Sequence, residues 1–378
     1  MVEGFRVALN VLFISASVAP HHRGGIGRFV TEAAHGLVAA GARVGICWPG
    51  GSWIENGVEV FGASSDTGPR HWSRVFTWQD YASRYAAAIE RSIDAGPWHV
   101  VHLHDWLVAP SLPSVGRLQA PLKVATLHTD ANLAVGASDQ RRALRIRWER
   151  QVVECADALT VCSLDMARRV ATRYVDSRVE IVPGGVNTQV FGRPLVTGRF
   201  HKKVLFFGQL IRRKGCDTFL RAVSRVLTEV PDLEVEVIGS GPEAERLALL
   251  AKQLCIESAV RFRGRLDGRE LGDEVASASV ACLPSREEPF GLAALEAMAA
   301  GAIVVASRTG GFVDFIKPGF NGFLCRVDDD ECFADCMLNV LNGRIPYGVI
   351  ARRGRETSDR YSWEAVAENL LDVYRATL

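Results

Sequence analysis

Apolar and polar positions along this chain switch period at regular intervals. Residues 7–15 form a nearly unbroken apolar run, which predicts a strand buried on both faces. A loop follows over residues 16–25 and holds Pro20, His21, His22, Gly24 and Gly25. Ile26, Phe29, Val30, Ala33, Ala34, Leu37 and Val38 then recur at helical spacing, and Gly41 stands where that helix should stop. Residues 44–48 predict the next strand, which completes a βαβ unit. The second half repeats the plan. Strands are predicted over 203–207, 234–238, 260–262, 280–283 and 303–306, with a helix marked by Phe219, Leu220, Val223, Val226 and Leu227 and another over 363–376. This alternation predicts an α/β chain with two doubly wound parallel sheets, each covered on both faces. The boundary is expected in Gly192–His201, where periodic apolar positions are few. Two such domains facing each other would leave a cleft at the carboxyl ends of their strands, where ligands of these sheets bind.

Composition narrows the class. The 378 residues suffice for two domains, and 48% of them are hydrophobic, enough for two cores. Lys plus Arg is 44 against 43 for Asp plus Glu, a net charge of +1, which argues against a general nucleic-acid binder. The apolar stretch 11–19 is too short to span a bilayer and lacks a leader's cleavage site, so membrane association is disfavoured. Nine cysteines without a C-x-x-C pair argue against a disulfide framework or a structural zinc and favour a reducing cytoplasm.

Several segments could carry chemistry. Gly24-Gly25-Ile26-Gly27 falls between a strand and a helix, where bare amides and the helix dipole suit a phosphate; a plain tight turn is the simpler alternative. Gly239-Ser240-Gly241 is a weaker candidate of the same kind. Neither has the dinucleotide fingerprint's spacing, and no acidic residue ends the following strand, which disfavours a nicotinamide enzyme. The most informative segment runs from Ser285 to Met298. Pro289 pushes Glu288 out of helical geometry, while the Ala- and Leu-rich run after Phe290 favours a helix. Glu288 would then stand at the mouth of that helix and Glu296 two turns inside, about 10 Å along the axis. The free amides of Phe290, Gly291 and Leu292 would face any negative charge between them.

Other features admit two readings each. His102-x-His104-Asp105 could begin a metal site, but no second cluster has metal spacing, and a strand end near the cleft rim is the simpler account. Arg141, Arg142, Arg145, Arg147 and Arg150 form either a solvated helix face or a surface for an anionic acceptor, with Asp105, Arg142 and Arg145 as the acceptor candidates; a membrane surface is a lesser alternative, because the flanking apolar positions make no clean stripe. Trp72, Phe76, Trp78, Tyr81 and Tyr85 could line a sugar ring or simply pack a helix.

The glutamate segment, in the form E-P-F-G-x-x-x-x-E, resembles the signature of retaining glycosyltransferase family 4. Other segments agree in order. Gly24–Gly27 is similar to that family's first glycine loop, Thr126-Leu127-His128 to its sugar-contacting histidine segment, and residues 181–187 to its I-P-N-G-V-D hinge. Gly208-Gln209-Leu210-Ile211-Arg212-Arg213-Lys214-Gly215 resembles its G-R-L-x-x-x-K-G diphosphate loop, and Gly310-Gly311 follows the penultimate strand as in the family. The resemblance covers about residues 6–375 and implies the GT-B fold: two Rossmann-like domains, 1–192 with a returning helix 362–378, and 193–361.

It further implies transfer of a sugar, with retention, from a UDP- or GDP-type nucleotide sugar to a small hydroxylated acceptor. No cofactor or metal is implied, in contrast to GT-A enzymes. His128, Glu288 and Lys214 would be catalytic. Gly25, Gln209, Arg213, Lys214, Phe290, Gly291 and Leu292 would surround the diphosphate, Glu296 would hold the ribose, and Arg263, Arg265 and Leu266 would flank the base. Two positions depart from the family. Gln209 stands where arginine is usual, so Arg213 would have to supply the missing charge, and Asp314 stands where glutamate is common. A nucleotide-sugar epimerase and a bilobed binding protein are the alternatives.

Overall fold

The computed structural model describes residues 8–19, 24–64, 78–133, 139–174, 179–192 and 201–378. Pro20, His21, His22, Trp72, Phe76 and the stretch 193–200 lie outside the described residues. The chain divides into two compact units, Met1–Pro183 with Trp363–Leu378, and Gly184–Ser362. This division comes earlier than the expected Gly192–His201 stretch. Residues 184–192 pack with the second unit: a side chain at Gly184 would meet Leu292 and Phe290, and the Val186 N–H donates to Tyr361 O at 2.8 Å.

The first unit begins with β1 (Asn10–Ser15), α1 (Gly25–Ala39), β2 (Arg43–Cys47), β3 (Trp53–Glu55), β4 (Val58–Phe61) and α2 (Trp78–Ala95). It continues with β5 (Val100–His104), α3 (Leu112–Val115), β6 (Leu122–Leu127), α4 (Asp139–Cys155), β7 (Ala158–Val161), α5 (Leu164–Arg173) and β8 (Val179–Ile181). Its eight strands run β3-β4-β2-β1-β5-β6-β7-β8, parallel except for β3 against β4. Val11, Leu12, Phe13 and Ile14 are all fully buried, as the apolar run required of a central strand. Gly41 ends α1 at φ +89°, a conformation that costs a side-chain-bearing residue more.

The second unit holds α6 (Thr188–Phe191), β9 (Lys203–Phe207), α7 (Cys216–Glu229), β10 (Glu234–Ile238), α8 (Ala244–Gln253), β11 (Val260–Gly264) and α9 (Gly268–Ala276). β12 (Val280–Leu283), α10 (Leu292–Ala300), β13 (Ile303–Ser307), α11 (Phe312–Phe315), β14 (Phe323–Cys325), α12 (Asp330–Leu341) and α13 (Tyr347–Ser358) follow. Its all-parallel sheet has the order β11-β10-β9-β12-β13-β14. Counted within the unit this is 3-2-1-4-5-6, the doubly wound order whose direction reverses between the first and fourth strands. The last helix, α14 (Trp363–Thr377), belongs to the first unit and packs on α1. Close approach is possible because Gly36 faces Trp363 O, and the Tyr374 hydroxyl meets His102 Nδ1 at 2.7 Å.

Candidate functional site

In the second unit, β9 and β12 are neighbours that point the same way, so the loops leaving their carboxyl ends meet. That adjacency brings Lys214 to Glu288 across 74 residues of sequence, Nζ to Oε2 at 2.5 Å. Ser285 Oγ donates to the same carboxylate oxygen at 3.2 Å. Arg286 locks the two loops together: its N–H donates to Arg213 O at 2.8 Å, and its guanidinium donates to Arg212 O at 2.6 Å and pairs with Asp217 at 2.9 Å and Asp328 at 2.7 Å. Burial pushes the Asp217 carboxyl up, but Arg286 and then Arg221 outweigh it and hold the group below the usual range. Arg213 Nη1 donates to Glu287 O at 3.3 Å. Gln209 is exposed, while Arg213 and Lys214 are half-buried, so the positive charge sits on the loop's second half.

Helix α10 starts two residues after Phe290, at Leu292, with Gly291 at φ +114° as a cap that offers no side-chain oxygen. The first amides of α10 therefore have no side-chain cap at Gly291 to satisfy them. Glu296 lies inside this helix, 5% exposed, and Phe290 is buried. The loop after β13 closes the group: the Gly311 N–H donates to Glu288 O at 2.9 Å, and Gly310 has φ +49°. A Cβ on Gly310 would fall 1.8 Å from Glu288 O. Gly310→Ala should therefore cost about 2–4 kcal/mol of stability from backbone strain and overpacking together. Thermal melts of the variant check this, and an unchanged melting temperature would show that the loop yields freely.

Of the nucleobase candidates, Arg263 falls on a strand, while Arg265 and Leu266 lie on the loop that follows it. β11 extends to Gly264, and Arg263 Nη1 pairs with Glu236 at 3.1 Å and Glu274 at 2.8 Å, beside Lys203. Arg265 pairs with Asp267 at 2.9 Å, leaving half-buried Leu266 as the apolar side chain of that loop. The Arg263 pairs join side chains on different strands and a helix, which no sequence period reports.

In the first unit the reversal lies between β1 and β5. Gly24 caps α1 without a side-chain bond, and among the described residues nothing lies within 4 Å of a Cβ built at Gly24 or Gly25. His102, His104 and His128 form a column of rings: His102 and His104 stack at 4.3 Å, His104 and His128 at 5.4 Å, with Phe13 and Phe29 against them. His102 Nε2 meets Thr126 Oγ1 at 2.6 Å, and His104 Nδ1 meets His128 Nε2 at 3.1 Å. Among the described residues His104 Nε2 is buried with no hydrogen-bond partner. An orphaned N–H costs more than an orphaned lone pair, so His104 carries its proton on Nδ1 and donates to His128. His128, 8% exposed, then carries its own proton on Nδ1. Burial pushes His102 and His128 down to about 3 and His104 well below its usual value, so all three rings are neutral at pH 7.

Asp105 follows β5 at φ +69° and is 1% exposed. It accepts from the Trp106 N–H and the Thr129 hydroxyl, both at 2.8 Å. Burial pushes its carboxyl up to about 7 against those two bonds, and Glu149 adds to the rise. For the metal reading of His102-x-His104-Asp105 the geometry offers no support: His102 is engaged by Tyr374 and Thr126, His104 Nδ1 by His128, and these three make no metal-holding group among the described residues.

On α4, Arg141, Arg142, Arg147 and Arg150 are exposed, as a solvated face requires, while Arg145 stacks over Trp106 at 5.3 Å. The sequence reading missed Glu149 in this same run. It is fully buried, held by Arg173 at 2.9 Å, the Tyr174 hydroxyl at 3.1 Å and the Ala131 N–H at 2.9 Å. Of the aromatic residues, Tyr85 is in the core and Trp78 packs edge-on against Trp148 at 4.2 Å, so packing accounts for both.

Comparison with known proteins agrees with this arrangement. Residues 23–190 match the family model "Glycosyltransferase Family 4", and residues 199–357 match "Glycosyl transferases group 1". A D-inositol 3-phosphate glycosyltransferase of Nocardioides sp. is 33% identical over 329 residues, 78% of this chain and 70% of that protein. The sucrose-phosphate synthase of Thermosynechococcus elongatus superposes with a TM-score of 0.82 at 23% identity, covering 97% of this chain and 98% of that one. HepE of Anabaena, solved with UDP and glucose, superposes with a TM-score of 0.75 at 16% identity, covering 97% and 100%. With two parallel-sheet domains, the paired family segments and a relative of this identity, the chain belongs to glycosyltransferase family 4 and is a GT-B glycosyltransferase.

Proposed function

We infer that this enzyme moves a sugar from a nucleoside-diphosphate donor to a hydroxyl of a small acceptor, with retention and without a metal at the diphosphate. The carrying observation is the convergence of Lys214, Glu288, Arg213 and the uncapped start of α10 at the sheet's reversal point. Such a site suits a diphosphate: backbone amides and the helix dipole meet its oxygens, and the lysine ammonium meets the charge that grows as it leaves. Solved neighbours that hold UDP and UDP-glucose support the donor class.

The acceptor oxygen bonds to the anomeric carbon as the bond from that carbon to the diphosphate oxygen breaks. Its proton passes to the departing phosphate oxygen on the same face, so configuration is kept. Glu288 is engaged by Lys214 and Ser285, which suits orientation of the sugar better than nucleophilic attack. Neutral His128 acts as a hydrogen-bonding group at the sugar, with the tautomer that His104 imposes. Asp105 serves the acceptor; with its carboxyl at about 7 it exchanges a proton near neutral pH.

Glu296 accepts the ribose hydroxyls. Each hydrogen bond to a carboxylate contributes about 1.5–3 kcal/mol, so Glu296→Ala should weaken binding of the free nucleoside diphosphate by about 10²-fold or more. Calorimetry is the test of the whole reading: unchanged affinity in this variant would remove the donor site from α10.

A further inference from the structure

Three cysteines that the transfer reaction leaves unused gather at the far edge of the second unit's sheet. Cys325 ends β14 and is 1% exposed, while Cys332 and Cys336 are half-buried on α12. Residues four apart share one helix face, and α12 packs on β14, so the three sulfurs converge. All three Sγ atoms lie within 4.8 Å of one another, and Cys325 Sγ is 3.7 Å from Cys336 Sγ. With metal–sulfur bonds of about 2.3 Å, the edge of a tetrahedral zinc site is about 3.8 Å. The observed separations therefore need only small rotations of the Cys332 and Cys336 side chains to match it. Cys325 belongs to the apolar core of this unit and Cys332 and Cys336 pack against it, yet their sulfurs also turn toward one another.

We propose that Cys325, Cys332 and Cys336 form a three-thiolate site for a thiophilic cation of the zinc class, with solvent water at the fourth position. The half-exposed Cys332 and Cys336 leave that position open to solvent. Three thiol protons leave to solvent as three sulfur–zinc bonds form, so binding strengthens as pH rises. The metal would staple β14 to α12 across the turn at residues 326–329. In that turn Asp328 accepts from Thr218 at 2.9 Å and pairs with Arg286, the residue that locks the donor loops. A disulfide between Cys325 and Cys336 is the competing use, although their sulfurs stand well beyond the covalent length of about 2.05 Å. The expectation of no zinc site rested on the missing C-x-x-C pair; the proposed ligands are spaced instead across a strand, a turn and a helix.

The test titrates the full, reduced, metal-stripped chain with cobalt(II) and then zinc(II). The expected result is an intense near-ultraviolet thiolate-to-cobalt band that saturates at a single equivalent and is bleached by zinc, with a higher melting temperature on zinc binding. Cys332→Ser and Cys336→Ser, both at half-exposed positions that tolerate serine, should each lose the band and the zinc-dependent rise; Cys255→Ser, at an exposed position, should keep both. No thiolate band in the parent chain, a band that survives both serine variants, or a Cys325–Cys336 disulfide in a chain whose reduced form ignores cobalt would each overturn the site.

Discussion

Lys214→Ala should lower kcat by about 10²–10³-fold, the loss seen when one charge-stabilising donor is removed from a transition state. Its Nζ stands 2.5 Å from Glu288 Oε2 in a half-buried setting, held there by two loops that Arg286 ties together. The lysine's charge gains most when negative charge collects on the departing diphosphate, so turnover should suffer far more than ground-state binding. Affinity for a nucleoside without phosphates should stay unchanged, because that ligand never meets the ammonium. Steady-state kinetics beside calorimetry separate these effects. Equal losses for the nucleoside and for turnover would assign Lys214 a structural role as Glu288's counter-ion.

Acid should unfold the first unit early. His102, His104 and His128 are neutral and buried in the fold, while in the unfolded chain each takes up a proton near pH 6.5. Folded values below unfolded ones mean that stability is intact above about pH 6.5 and is lost as pH falls. Each ring contributes up to about 1.4 kcal/mol per pH unit, or about 4 kcal/mol for three. Asp105 works the other way: its folded value near 7 lies above the unfolded 3.8, so it favours the fold as pH falls through that window and offsets one ring. A net slope of about 3 kcal/mol per pH unit between pH 6 and 5 would exhaust much of a typical domain's stability. Urea midpoints measured across pH 5–8 should fall steeply below 6.5, and His104→Gln should flatten the net slope by about half. A flat profile would mean that water reaches the rings.

Much of the architecture was legible along the chain. Strands 203–207, 234–238 and 280–283 occur as β9, β10 and β12 with the same limits, because their valine-, leucine- and phenylalanine-rich stretches are bounded by turn residues, with Glu234 and Glu236 alternating along β10. The Ser285–Met298 segment was legible too, since Pro289, Gly291 and an alanine-rich run specify a loop, a cap and a helix by local chemistry alone. The domain limit was harder to read. Gly184 and Val186 belong to the second unit through contacts with Leu292, Phe290 and Tyr361, all more than a hundred residues away.

The sequence by itself determined the element order, the two repeated α/β halves and the membership of Lys214, Glu288 and Glu296 in one family pattern, because these rest on period, propensity and local spacing. Only the tertiary structure decided which side chains meet. Strand order placed Lys214 on Glu288, stacked His104 under His128 to set its tautomer, spent Arg263 on Glu236 and Glu274, and drew three cysteines together. Charge pairing, desolvation and ligand geometry depend on distance through space, and a linear sequence carries that distance only after the sheets have fixed it.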